Sequence, residues 1–250
     1  MKATKVTGTG LESATLREVA YHRLRDAIIT CRLGPGQQFT ERQLVTETGL
    51  GISPIREALT RLDHEGLVRT LPRKGYQVKP LTIKTVNDLF EYWRLLGPEI
   101  ARRGVLGATP EQLEQARDCL KKLARLFSEA APSTQATPRA VQLSEGFFTV
   151  LAESTHNEYL IAAYRRLTTE IARVWALTMD SDIMDGADRA ETAKWPKVLD
   201  RRDGEAAAEL SRQYIQESHN RVLRTLARWP SVVNAEIVPP NPPGANIGKS

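Results

Sequence analysis

Residues 40–78 read TERQLVTETGLGISPIREALTRLDHEGLVRTLPRKGYQV. Thr40-Glu41-Arg42-Gln43 is a capping box, in which a threonine hydroxyl and a glutamine three residues later satisfy each other's backbone amides at a helix start. Leu44 and Val45 follow as the inward face of a short helix, and Gly49 stands where a left-handed C-cap would end it. A second helix is predicted from Gly51 or Ser53, with Pro54 in its first turn, where a missing N–H does no harm. Ile55, Ala58, Leu59 and Leu62 form its apolar face, and Gly66 stops it. Residues 67–71 and 76–78 read as strands around Pro72-Arg73-Lys74-Gly75, a basic hairpin tip. Helix, tight turn, helix and hairpin make the layout of a winged helix-turn-helix, a fold that sets the N-terminal end of its second helix in the DNA major groove.

Working outward, Thr15-Leu16-Arg17-Glu18 is another capping box and predicts a helix to about residue 31. Its apolar stripe is Leu16, Val19, Leu24, Ala27 and Ile28, and Leu33-Gly34-Pro35-Gly36 turns the chain after it. No strand is predicted beyond Leu81. Helices are expected over about 83–103, 110–129, 138–155, 158–180, 187–201 and 204–228. Thr109, Pro110 and Gln112 supply cap, first-turn proline and capping-box partner for the second of these. Residues 131–138 read as a loop, and 230–250, with PPNPPG, as a disordered tail.

At 250 residues and 41% hydrophobic, the chain can bury two cores. The domains are expected at 12–80 and 81–229. Residues 1–80 carry 13 Lys/Arg against 8 Asp/Glu, whereas 81–250 carry 22 of each, so the whole excess of +5 sits with the helix-turn-helix. Neutralising phosphates and releasing their counterions needs that asymmetry. No apolar run approaches membrane-spanning length, and the opening MKATKVTGTGLESAT lacks a signal-peptide core, so a cytoplasmic location without a membrane partner is expected. Cys31 and Cys119 are far apart and outside any CxxC pair, and are expected to be buried reduced thiols.

The stretches LVTETGLGISPIREAL at 44–59, LDHEGLV at 62–68 and RKGYQV at 73–78 resemble, without gaps, the N-terminal domain of the GntR regulators. With the helices that follow, residues 12–228 resemble the FadR/FCD subfamily of dimeric, metabolite-sensing regulators. The resemblance implies a mainly α fold: an N-terminal winged helix-turn-helix followed by an all-helical FCD-like bundle that binds an effector and dimerises. It implies a double-stranded, palindromic DNA operator, read by a homodimer. DNA contact is implied for Arg42, Gly51, Ile52, Ser53, Pro54, Arg56, Arg73, Lys74 and Gly75. The family's Ser-Arg-Thr at the recognition-helix start is here Gly51-Ile52-Ser53. Ile52 cannot make the bidentate contact to a guanine edge that an arginine makes, though it can touch a thymine methyl. Ser53 and the helix-start amides can bind phosphate. Arg56 has an alternative, pairing with Glu57 or Asp63 on a solvated face; Arg42 can also be an idle surface residue, and Pro54 is structural on either reading.

Many FCD domains hold a divalent metal with an Asp and a His four apart on one helix and two further His. Alignment of LSEGFFTVLAESTHN at 143–157, and of the segments around 202–207, puts Ser144, Phe148, Thr192 and Tyr214 at those positions. The four histidines are His22, His64, His156 and His219, too few for a three-His site in the bundle. No metal and no cofactor are therefore expected. Phe148, Trp195 and Tyr214 would make the space apolar, and Arg94 matches a recurrent arginine of the first FCD helix. The expected effector is a small anionic metabolite with an apolar portion, a carboxylate or acyl-CoA-like molecule, bound by Arg94, Ser144, Phe148, Thr192, Trp195 and Tyr214. The alternative is that the aromatics fill the space, leaving a constitutive or architectural dimeric DNA binder. His219 reads as an exposed or core-satisfied helix residue, and Glu158, Arg165 and Arg166 as a solvated face. No nucleophile–base pair or phosphate loop is present, so no catalytic residue and no enzyme activity are expected.

Overall fold

The computed structural model describes residues 8–129, 136–178 and 192–227. The chain divides into two compact units, with the division after Ile83.

The first unit contains α1 (Gly8–Ile29), β1 (Gln38–Phe39), α2 (Glu41–Thr48), α3 (Ile52–His64), β2 (Val68–Leu71) and β3 (Gly75–Val78). Both predicted caps of α2 are present. The Thr40 hydroxyl accepts from the Gln43 amide at 3.3 Å, and the Gln43 side chain accepts from the Thr40 amide at 2.8 Å. Gly49, at φ 70°, closes the helix by donating to the Val45 carbonyl. Gly51 is the N-cap of α3, whose buried face is Ile55, Ala58, Leu59 and Leu62, as its spacing predicts.

Two expectations for this unit are corrected. First, α1 begins at Gly8, ahead of Thr15, and ends at Ile29. Leu16 and Val19 are 45% and 44% exposed; the inward face is Ala20, Tyr21, Leu24, Ala27 and Ile28. A stripe of apolar residues runs as far as the sequence carries it, but burial reaches only as far as the partner helix. Second, β1 was not predicted. Its two residues pair antiparallel with β3, Gln38 with Gln77 and Phe39 with Tyr76, giving the order β1-β3-β2. Two residues show no periodicity, so only the pairing reveals the strand.

The second unit contains α4 (Ile83–Gly107), α5 (Pro110–Glu129), α6 (Ala136–Glu153), α7 (Glu158–Thr178), α8 (Trp195–Arg201) and α9 (Gly204–Leu226), with no strand among the described residues. Helix α4 continues past the expected end at 103. Gly104 is an ordinary stop signal, yet here it serves packing: a Cβ on Gly104 would overlap the Leu151 carbonyl oxygen, and one on Gly107 would lie 2.5 Å from the Ser154 carbonyl oxygen. The backbones of α4 and α6 therefore touch. Arg117 bridges α5 to α8 through Asp200 at 2.8 Å. The expected helical residues 179–180 and 187–191, most of the 131–138 loop and the 230–250 tail lie outside the described residues. Both cysteines are free thiols. Cys31 is buried, but Cys119 is only half-buried, short of the expected burial, with burial pushing its thiol pKa up.

Candidate nucleic-acid interface and bundle cavity

The core of the first unit presents one end of α3 to solvent. Helix α1 pins the opposite ends of its neighbours: Arg23 donates to the Thr48 carbonyl at the end of α2 (2.9 Å), and the Tyr21 hydroxyl donates to Glu65 after α3 (2.8 Å). The Arg61 guanidinium lies 3.5 Å above the Tyr21 ring. At the N-terminal end of α3, Gly51, Ile52 and Ser53 are exposed and Pro54 is half-buried. The helical ladder starts with Ile55 N–H donating to the Gly51 carbonyl (3.3 Å). The Ile52 and Ser53 amides precede that ladder at the positive end of the helix dipole, a geometry suited to phosphate. The Ser53 hydroxyl donates to Glu57 (3.2 Å), which also pairs with Arg17 (3.1 Å).

Arg56 pairs with neither Glu57 nor Asp63. Its Nε and Nη2 donate to the two oxygens of Glu41 at 3.0 and 2.8 Å, while Asp63 accepts from Thr70. The Tyr76 hydroxyl, on β3, also donates to Glu41, at 3.4 Å. The hydrogen bonds from Arg56 hold the Glu41 carboxyl below its usual range, so it stays ionised. Of the five N–H donors of a guanidinium, this fork uses two, and the Arg56 side chain remains 63% exposed. Glu41 thus clasps α2, α3 and the wing at one point. Sequence reasoning missed Glu41 and Tyr76, because they lie 15 and 20 residues from Arg56, beyond any local spacing rule.

The wing tip is a turn closed by Lys74 N–H donating to the Leu71 carbonyl (3.0 Å), with Pro72 next and Arg73 at φ 64°. A left-handed non-glycine residue costs about 1–2 kcal/mol. Arg73 and Lys74 are exposed. Gly75, at φ 94°, has no room for a Cβ against the Phe39 carbonyl and passes close to the Thr40 backbone, so the wing base abuts the start of α2. Arg42, one residue beyond Glu41, is exposed.

In the second unit the expected effector set is divided. Ser144, Phe148 and Tyr214 line one cavity of about 30 Å³, together with Trp93, Tyr164 and Trp175. Trp195 backs this cavity, edge-on to Phe148 at 5.7 Å. Thr192 lines a different cavity, about 350 Å³, between α5 and α8. Arg94 lines neither. It donates to His219 Nδ1 (3.1 Å), and since guanidinium cannot accept, His219 carries its proton on Nε2 and donates it to Asn87 (2.9 Å). The ring stacks on Phe90 at 4.5 Å, so His219 is a core-satisfied residue. Burial and then the Arg94 charge hold its pKa below the ordinary value. Glu158, Arg165 and Arg166 are exposed, with Arg165 paired to Glu153. One hydroxyl, one phenyl and one phenol do not fit a divalent transition metal. Among the described residues no group of three or more His, Cys, Asp or Glu is placed to hold one.

Residues 16–78 match the model of bacterial regulatory proteins of the gntR family, and residues 88–217, over half of the chain, match that of the FCD domain. An HTH-type transcriptional regulator of the TAR-I ttuE-ttuC' intergenic region in Agrobacterium vitis is 32% identical over 111 residues, 44% of this chain and 65% of the relative, so the match spans less than two thirds of that protein's length. The HTH-type transcriptional repressor RspR of Escherichia coli (strain K12) is 21% identical over 79% of this chain and 84% of its own. The crystal structure of a GntR transcriptional regulator from Rhodococcus sp. RHA1 superposes with a TM-score of 0.66 at 21% identity, covering 84% of this chain and 98% of that one, a likeness of fold. No described helix is long and apolar enough to cross a membrane.

Proposed function

The chain belongs to the GntR family of bacterial regulatory proteins and carries the family's FCD domain, and on that premise we propose that it is a homodimeric repressor that binds a palindromic operator and is modulated by a small molecule held in its bundle. The clasp of Arg56 by Glu41 carries the DNA-binding part of this reading: it holds an exposed guanidinium in the first turns of α3, whose N-terminal residues are exposed, and Arg42, next to Glu41, is exposed too. Wing residues Arg73, Lys74 and Gly75 extend the same basic surface. The repressor part follows RspR, a repressor by name. The protein works in the cytoplasm and catalyses no reaction.

A second copy of the chain fits α4. Its solvent side carries Tyr92, Leu95 and Leu106, 42%, 76% and 51% exposed. Arg102 and Arg103 both donate to Glu99 between them and hold its carboxyl down to about 2. An antiparallel pairing centred on Glu99 would oppose Tyr92 to Leu106 and Leu95 to the Arg103 stem, with the two Glu99 carboxylates near the axis each screened by its own Arg102 and Arg103.

Operator binding by Arg56→Ala tests the DNA-binding reading. After an operator is selected from random DNA, this variant is expected to lose about 1–3 kcal/mol of affinity in gel shifts, whereas Lys74→Ala should flatten the salt dependence. Unchanged affinity for a folded Arg56→Ala protein would refute the assignment. A second reading, a constitutive DNA binder whose bundle serves only to dimerise, draws support from the cavity volume of only about 30 Å³.

A further inference from the structure

The cavity around Ser144 and Phe148 has a charge character opposite to that expected of an anion site. Its walls include five aromatic rings, those of Trp93, Phe148, Tyr164, Trp175 and Tyr214. Glu145 is the one charged residue among those lining it, and stands exposed at its solvent side. Arg94, the cation the sequence points to, is outside and directed at His219. An anion moved into such a site would lose its hydration and meet the negative faces of the rings, with no Lys or Arg among the lining residues. A cation gains from both the rings and the carboxylate.

We propose that this cavity binds an organic cation, a primary alkylammonium whose head sits among these rings and whose charge is matched by Glu145. The inference rests on the reading of the bundle as an effector domain and names the class of effector. Size limits the head. A volume of about 30 Å³ admits one or two water-sized groups, which suits an –NH₃⁺ better than a quaternary ammonium. Its three N–H donors have acceptors in the lining: the Ser144 and Thr168 hydroxyls and the Glu145 carboxylate. Leu167 and Ile171 supply apolar wall for the carbon next to the head. The Tyr164 phenol is held protonated, its pKa raised well above the ordinary value by burial and then by Tyr214 and Glu145, so the site gains no anion from it.

The test titrates n-butylammonium chloride and sodium butyrate separately into the full-length protein at constant ionic strength. Tryptophan fluorescence reports on Trp93 and Trp175, and the melting temperature reports binding independently. Butylammonium is expected to change the fluorescence saturably and raise the melting temperature, and butyrate to do neither. Glu145→Gln should weaken butylammonium binding roughly tenfold, with the ligand-induced shift read against the variant's own ligand-free melting temperature. Binding of butyrate but not butylammonium would overturn the proposal and leave the effector reading standing. Binding of neither would overturn both and favour the constitutive DNA binder. Butylammonium binding indifferent to Glu145→Gln would place the ammonium elsewhere and overturn the assignment.

Discussion

His219 sits where a proton would be costly. Its Nδ1 already accepts from Arg94, so protonation there would set an N–H against a guanidinium. The folded-state pKa lies below the unfolded value, so below about pH 6.5 the unfolded chain binds more protons and stability falls with pH; above that value both states are neutral and the contribution is flat. The melting temperature should therefore drop between about pH 7 and pH 5.5, and His219→Gln should reduce that slope. An identical slope in the variant would assign the effect to other groups. Arg73 makes the opposite kind of statement, since a residue held at φ 64° at an exposed tip is retained against a local cost. Arg73→Gly is expected to stabilise the first unit by about 1 kcal/mol and still weaken operator binding, as read by thermal melts and gel shifts. Neither effect was legible beforehand. The sequence marks Arg73 as basic and His219 as helical, but the backbone angle and the pairing with Arg94, 125 residues away, are properties of the assembled chain.

Among the elements, α4 depends on its glycines. Gly104 lets its backbone lie against the last turn of α6, and a methyl group there would meet the Leu151 main chain, which cannot swing aside as a side chain can. Gly104→Ala is expected to destabilise the protein by about 1–3 kcal/mol in urea denaturation, despite the better helix propensity of alanine. A neutral or stabilising result would show that the two helices separate at little cost. At Gly75 both φ and the Phe39 carbonyl exclude a side chain, which joins the wing to β1. The caps and apolar faces of α2 and α3 were readable because they act over three or four residues. The extent of the α1 burial, strand β1 and the glycine contacts were not, since each is settled by a partner distant in sequence.

At the scale of the whole molecule, charge and symmetry set the expectations. The positive excess lies in residues 1–80, so the helix-turn-helix unit should provide most of the salt-dependent affinity. Two-fold pairing would double those contacts on a palindromic site. Leu95→Arg sets a second cation against the Arg103 that faces it across the exposed α4 stripe and should yield a monomer in sedimentation velocity, with weakened binding to a full operator but not to a half-site. Persistence of the dimer would move the interface off α4.

The amino-acid sequence by itself determined the winged helix-turn-helix, the helical second unit and a histidine count too low for a three-His site beyond residue 80. These follow from capping boxes, turn glycines, helical periodicity and the identity of single residues, all short-range or compositional. Tertiary structure alone decided that Glu41 binds Arg56, that Arg94 donates to His219 instead of lining the cavity, and that Thr192 lines a separate space from Ser144. The physical reason is common to all three. A charged or polar side chain that loses water must find a compensating partner, and which partner lies within reach is settled only when distant segments pack together.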